Sequence, residues 1–192
     1  MTSQVWWYVA RATGLVAWGL LTASVLWGIA LSTRALGSRP TAPWLLDLHR
    51  YLGGLAVLFV GGHLVAILAD SFEHFTVADL VVPMASEWRP GAVAWGVVSL
   101  YLLLAVEVTS LLVRHVPRAT WRAIHLSSYA LFATSTVHLL LSGTDVSNLL
   151  VRLVVLAAVA EVLFLTAYRV TVASRARRRL VTTAATTRPN AR

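Results

Sequence analysis

The sequence has no cysteine and no lysine, and its only methionines are Met1 and Met84. Without cysteine there is no thiolate-ligated iron–sulfur cluster, no Cys-x-x-Cys-His attachment of c-type haem and no disulfide. Neither methionine lies deep in an apolar run, so an axial thioether ligand to a metal is not expected. Charge is scarce too. Only 12% of residues are charged, where soluble domains carry about 25%. No G-x-G-x-x-G or G-x-x-x-x-G-K-[ST] occurs, so nothing points to a dinucleotide or P-loop site. The N-terminus has no basic stretch before Arg11, and its apolar run continues to about Leu31, which argues against a cleaved signal peptide.

What is present is apolar. Hydrophobic residues make up 58% of the chain and the mean hydropathy is +0.73. Several apolar stretches exceed the roughly 18 residues that mark a membrane-spanning helix, so the chain reads as a polytopic helical membrane protein. The expected fold is all-α, a membrane bundle of five spanning helices: Val5 to Leu31, Trp44 to Ala69, Gly91 to Val113, Thr120 to Leu141 and Ser147 to Val170. Trp6, Trp7 and Tyr8 suit an interfacial aromatic belt. The stretch Phe75 to Ser86 is apolar but too short to span, and Pro83 interrupts it. It is expected to lie at the interface. Gly143 suits a helix C-cap, and Thr144 or Asp145 the next N-cap. The domain division is a bundle over 1–172 and an Arg-rich tail over 173–192 without regular structure.

All sixteen basic residues are arginine. They concentrate in alternate connections: Arg34 and Arg39 after the first span, Arg114 and Arg118 after the third, and Arg175 to Arg192 in the tail. The stretch from Asp70 to Pro90 holds Asp70, Glu73, Asp79 and Glu87 against Arg89 alone. Membrane topology explains this arrangement better than nucleic-acid binding. The positive-inside rule places the N-terminus outside and the C-terminus in the cytoplasm of a cell (inner or plasma) membrane, and an odd number of spans agrees. The Arg175 to Arg179 cluster reads as a topogenic stop in contact with lipid headgroups.

Four of the six histidines lie inside these runs, in pairs. His49 and His63 stand at i and i+14 on the second span, and His125 and His138 at i and i+13 on the fourth. Each step covers about 20 Å of helix, most of the roughly 30 Å hydrocarbon thickness. Ionisable groups at such depth mark function by default. The two helices run in the same direction, so His49 should face His125 and His63 should face His138. Each facing pair can clamp the iron of one b-type haem, the first near the cytoplasmic side and the second near the outer side. One zinc ion could not gather four ligands spread over that length. A difficulty lies in the i+13 step, which lands about 140° around an ideal helix, whereas an i+14 step returns within about 40°. The fourth helix must be tilted, rewound, or present its rings to different sides. His74 and His115 read as ordinary solvated residues.

The neighbours fit haem. Gly53, Gly54, Gly61 and Gly62 flank the ligands of the second span and would let a flat macrocycle approach, or would serve ordinary helix packing. Arg50 and Arg122 adjoin the inner ligands and are candidates for its carboxylate propionates. Arg11 and Arg152 lie toward the outer ends of their helices and could serve the outer haem, or snorkel. Glu107 and Glu161 could accept protons from a quinol or pair with an intramembrane arginine.

The paired histidines, the run Trp121-Arg122-Ala123-Ile124-His125 and the hairpin Ser142-Gly143-Thr144-Asp145 resemble the ferric-reductase-like transmembrane domain family. That group includes ferric reductases, NADPH oxidases and the haem-binding membrane subunit of the periplasmic methionine-sulfoxide reductase system. The resemblance covers about residues 5 to 170. It implies His49 with His125, and His63 with His138, as axial ligands of two b haems. Many relatives have six spans where five are counted here. Ferric reductases and NADPH oxidases also carry a flavin and NADPH domain after the last span, and here the stretch from Val170 to Arg192 is too short for one. The expectation is an oxidoreductase component in membrane lipid. It would take electrons from a separate flavin reductase or from quinol and deliver them to an extracytoplasmic acceptor. The competing readings are a His/Glu-based proton or metal-ion transporter, and a non-catalytic membrane anchor for a redox partner.

Overall fold

A computed structural model of the chain describes residues 2–33, 43–71 and 73–186; its side-chain detail covers 4–33, 43–71, 73–172 and 174. Arg34, Arg39 and the Arg175 to Arg192 side chains lie outside that range. The described residues form helices and connections with no strand: α1 (Thr2–Thr33), α2 (Pro43–Ala69), α3 (Val77–Val81), α4 (Pro90–Leu111), α5 (Arg118–Leu126), α6 (Ser128–Ser142), a 3-10 turn (Thr144–Ser147) and α7 (Leu149–Thr186).

Five stretches are long and apolar enough to cross a membrane: Gln4–Thr33, Pro43–Ala69, Pro90–Leu111, Arg118–Ser142 and Leu149–Val172. These are the five spans expected from the sequence. Two differences stand out. The fourth span is two helices, α5 and α6, which meet at Ser127. The helix of the fifth span continues past Val172 to Thr186, where composition implies an unstructured tail.

The bundle is built from two hairpins and a fifth helix. α1 packs along α2, and α4 packs along α6; α1 also meets α6 and α7. The core joining them is apolar: Trp18, Val25 and Ile29 of α1, Phe132 of α6, and Val155 and Val162 of α7. Trp18 and Phe132 stack with ring centroids 6.4 Å apart. Trp18 Nε1 donates to Thr136 Oγ1 at 3.0 Å, and Trp27 Nε1 to the Leu45 carbonyl at 2.8 Å. Both indoles thus find partners inside the bundle, where no water is present to supply them. Apolar residues such as Leu58, Val65 and Phe164 are left on the outside, where lipid suits them.

The connections follow local chemistry. The segment after α2 forms α3, whose Leu80 is buried. Asp79 caps it, accepting from Thr76 N at 2.7 Å and Thr76 Oγ1 at 2.8 Å. Those two donors, the backbone one foremost, hold the Asp79 carboxyl below its usual range. The cap expected at Thr144 or Asp145 falls instead to Asn148, whose Oδ1 accepts from Leu150 N at 2.8 Å. Asp145 is drawn away by Arg11, the two forming an ion pair between α1 and the last hairpin. Gly143 sits at φ −70, so it ends α6 without the left-handed turn typical of a glycine cap.

Ala66 is the most buried residue of α2, at 0% exposure. Ala66→Leu should cost about 1–3 kcal/mol through overpacking, read from denaturant unfolding in detergent. Leu58→Ala, on the outer face, should stay within about 0.5 kcal/mol of the parent.

Candidate functional site

The four intramembrane histidines meet in the pairs that helix direction implies. The His49 and His125 ring centroids are 6.0 Å apart with planes at 75°. Those of His63 and His138 are 6.5 Å apart at 78°. The two pairs form two levels within the bundle.

The break at Ser127 accommodates the i+13 step. Ser127 N donates to the Ile124 carbonyl at 2.9 Å, a tight i to i−3 turn, and α6 begins afresh at Ser128. A 3-10 turn advances about 20° more per residue than an α-helix, so one such turn recovers about 60° of the roughly 140° offset. The remainder is taken up because α5 and α6 are separate helices.

Each histidine is steadied through Nδ1 by a neighbouring helix. His63 Nδ1 lies 2.8 Å from the Ala10 carbonyl, and His138 Nδ1 lies 2.8 Å from the Ala92 carbonyl. A carbonyl only accepts, so both nitrogens carry the proton and donate. Ser142 Oγ is a further 3.3 Å neighbour of His138 Nδ1. At the first level, His49 Nδ1 is 3.3 Å from Ser24 Oγ, and His125 Nδ1 is 3.5 Å from Ser110 Oγ. The Nε2 atoms make none of these bonds and remain available within each pair. Histidine ligands to metals are ordinarily tethered in this way through the other ring nitrogen.

Small residues let the rings come close. A Cβ built on Gly14 would lie 3.0 Å from His63 Nδ1, one on Gly28 3.2 Å from His49 Cε1, and one on Gly96 2.7 Å from His138 Cε1. Among the described residues His125 has no such glycine; it stacks on Trp121, centroids 5.0 Å apart at 23°. The supports repeat with the histidines. On α1, Ala10 and Ser24 stand at i and i+14, as do Gly14 and Gly28; on α4, Gly96 and Ser110 do the same. This is the step between His49 and His63 on α2. Sequence reasoning misses these supporting residues, although the matched spacing of small residues is a readable signal.

The other candidates are placed as follows. Arg11 lies at the second level, with Nε 3.0 Å from Asp145 Oδ2. Arg50 is exposed and pairs with Asp47 at 3.4 Å. Arg122 and Arg152 are exposed, as are His74, His115 and Glu161. Glu107 is half-buried against Gly53, where a Cβ would lie 2.5 Å from Oε1; Gly62 meets Thr13, and Gly54 and Gly61 meet nothing within 4 Å. The glycines of α2 therefore do not face the histidines, whereas Gly14, Gly28 and Gly96 of α1 and α4 do.

The pairs suit haem better than a bare ion. Among the described residues no three His, Cys, Asp or Glu converge, so each site offers two ligands facing one another. Two facing imidazoles would suit a group that brings the rest of its iron's ligands with it, as haem does. Metal–nitrogen bonds of about 2 Å to both rings would ask for centroids about 6 Å apart, close to both observed values. A cavity of about 230 Å³ opens at the second level, reached by His63 and His138 and walled by Leu64, Val97, Leu100 and Leu131.

Residues 13–136, more than half of the chain, match the model of a family described as ferric reductase like transmembrane component. The match takes in His49, His63 and His125 and stops just short of His138. No curated protein and no solved structure matches the chain.

Gly96→Ala would press on His138. If that pair holds a haem, displacing the ring should lower the haem-to-protein ratio in the absorption spectrum. Gly54→Ala, with open space around it, should match the parent.

Proposed function

The chain belongs to the ferric reductase like transmembrane component family, and from that premise we propose that it is a dihaem electron-transfer component of a cell membrane. His49 and His125 would hold the iron of one b-type haem, and His63 and His138 that of a second. The observation that carries this reading is the pair of facing imidazole couples at 6.0 and 6.5 Å, each ring tethered through Nδ1. When bound, the two haems supply one-electron chemistry at two depths of the membrane.

The chain's own residues then ligate, orient and insulate. The Ala10 and Ala92 carbonyls fix the tautomer and the ring orientation of His63 and His138. Leu64, Val97, Leu100 and Leu131 keep the second level dry. Arg11, held by Asp145, lines the second-level cavity and would be open to a haem propionate there, while Arg50 and Arg122 would serve the rim of the first. Electrons would come from a separate flavin reductase or quinol on the cytoplasmic side and leave to an extracytoplasmic acceptor. The topology is the one the arginines imply, N-terminus outside and C-terminus in the cytoplasm, with the bundle over 1–172 and the Arg-rich segment over 173–192 on the cytoplasmic side.

Protein purified from haem-replete cells should show a low-spin bis-His absorption spectrum and contain about two haems per chain by pyridine haemochrome. His63→Ala and His125→Ala should each lose about one. A colourless parent, or a count unchanged by both substitutions, would overturn the proposal. Orientation has a direct test, since the chain has no native cysteine. A membrane-impermeant maleimide on intact cells should label Ser71→Cys and spare His115→Cys, and the reverse pattern would invert the topology.

A further inference from the structure

Two features on the α5 and α7 side of the first-level pair take no part in ligation. Trp121 lies against His125, and its indole N–H is buried with no hydrogen-bond partner among the described residues. An indole nitrogen only donates, and a buried donor left unmade is costly enough to need an explanation.

The second feature is Arg169 of α7. Its Nη1 donates to Tyr129 Oη at 3.0 Å. Tyr129 lies one turn beyond His125, across the Ser127 break. Helix side chains lean toward their own N-terminus, so Arg169 leans back into the span rather than toward the near rim, where a snorkelling arginine would place its charge. It is half-buried and within electrostatic reach of His125. Among the described residues no carboxylate pairs with it; the ion pairs there are those of Arg11 with Asp145 and Arg50 with Asp47. A guanidinium in apolar surroundings held only by a neutral hydroxyl is an incomplete arrangement.

A buried unpaired donor and an uncompensated cation thus flank the same imidazole. We propose that Trp121 Nε1–H and Arg169 form the acid-edge anchor of the first-level site, receiving the carboxylates of the haem held between His49 and His125. This rests on the dihaem reading. The haem's two ionised carboxylates would give the guanidinium its counter-charge and the indole its acceptor through charge-assisted hydrogen bonds. Arginine suits the role better than lysine, because its fork reaches both Tyr129 and a carboxylate at once. Its Arg169 half lies on α7, so the last span contributes to a site whose ligands come from α2 and α5.

The test is a spectroelectrochemical titration of the purified full chain with its own haem. The couple that disappears in His125→Ala identifies the first level. Arg169→Gln removes a positive charge that stabilises the added electron, so the midpoint of that couple should fall. A tenfold shift toward the oxidised form at fixed potential is expected, about 59 mV for a one-electron couple. Trp121→Phe keeps the stacked ring and loses only the N–H, and should shift the same couple the same way by less. Arg169→Lys should stay closer to the parent. The second-level couple should hold its midpoint throughout, which also reports an assembled bundle. Arg114→Gln, an exposed charge in a connection, should move neither couple.

Two haems per chain with an unmoved first-level midpoint in Arg169→Gln and Trp121→Phe would overturn the anchor and leave the dihaem reading standing. An equal shift in Arg114→Gln would also overturn it, as a general charge effect. If Arg169→Gln does not assemble, Trp121→Phe decides, and an unmoved midpoint there overturns the proposal. A parent that purifies without haem sinks the dihaem reading and the anchor together.

Discussion

An imidazole inside a bilayer has two ring nitrogens and no water to satisfy them. If Nε2 is to be kept for a partner across the bundle, Nδ1 must be met by the protein. The arrangement of α1 and α4 answers that requirement. Their backbones come close enough for Ala10 and Ala92 carbonyls to accept from His63 and His138. A net interhelical hydrogen bond in a membrane is worth only about 0.6 kcal/mol, so these bonds add little stability. Their effect is orientation: each ring is held in one tautomer and one plane. Gly14 and Gly96 follow from the same demand, because a side chain there would push the ring away from its acceptor.

The two hairpins meet this demand with the same rhythm. α1 and α2 repeat their supports and ligands at i and i+14, close to four full turns, so both levels fall on nearly one face. On α4 the Nδ1 partners Ala92 and Ser110 stand at i and i+18, about five full turns, which also keeps one face. The ligands of the fourth span, His125 and His138 at i and i+13, fit no whole number of turns, and that span is broken. The break at Ser127 is the local consequence of fitting the shorter step to sites spaced for the longer one. It also places Trp121 and His125 on α5, apart from the α6 segment that packs on α4.

Charge inside the bundle is sparse and each case has a specific setting. Arg11 and Asp145 join α1 to the last hairpin. Glu107 rests on Gly53, its carboxylate end lying where a Cβ would stand. Arg169 is tied to Tyr129. Removing one partner from such a pair strands the other in low dielectric, which costs more than the pair itself contributes. These residues therefore constrain which helices can be neighbours as well as what the site can bind.

The number of spans, their approximate limits and the partners within each histidine pair were legible from the sequence alone. Apolar run length is set by bilayer thickness, and helix direction follows from the count of crossings. The pairing of His49 with His125 needed only matched depth. Other features belonged to the tertiary structure, because they depend on which helix faces turn toward each other. Composition could not say that Gly14, Gly28 and Gly96 touch the rings while Gly54 and Gly61 do not. Nor could it say that Arg11 is claimed by Asp145, far along the chain, or that Arg169 leans toward His125. The sequence set depth, since depth is counted along one helix; rotation and neighbourhood were decided only when five helices packed together.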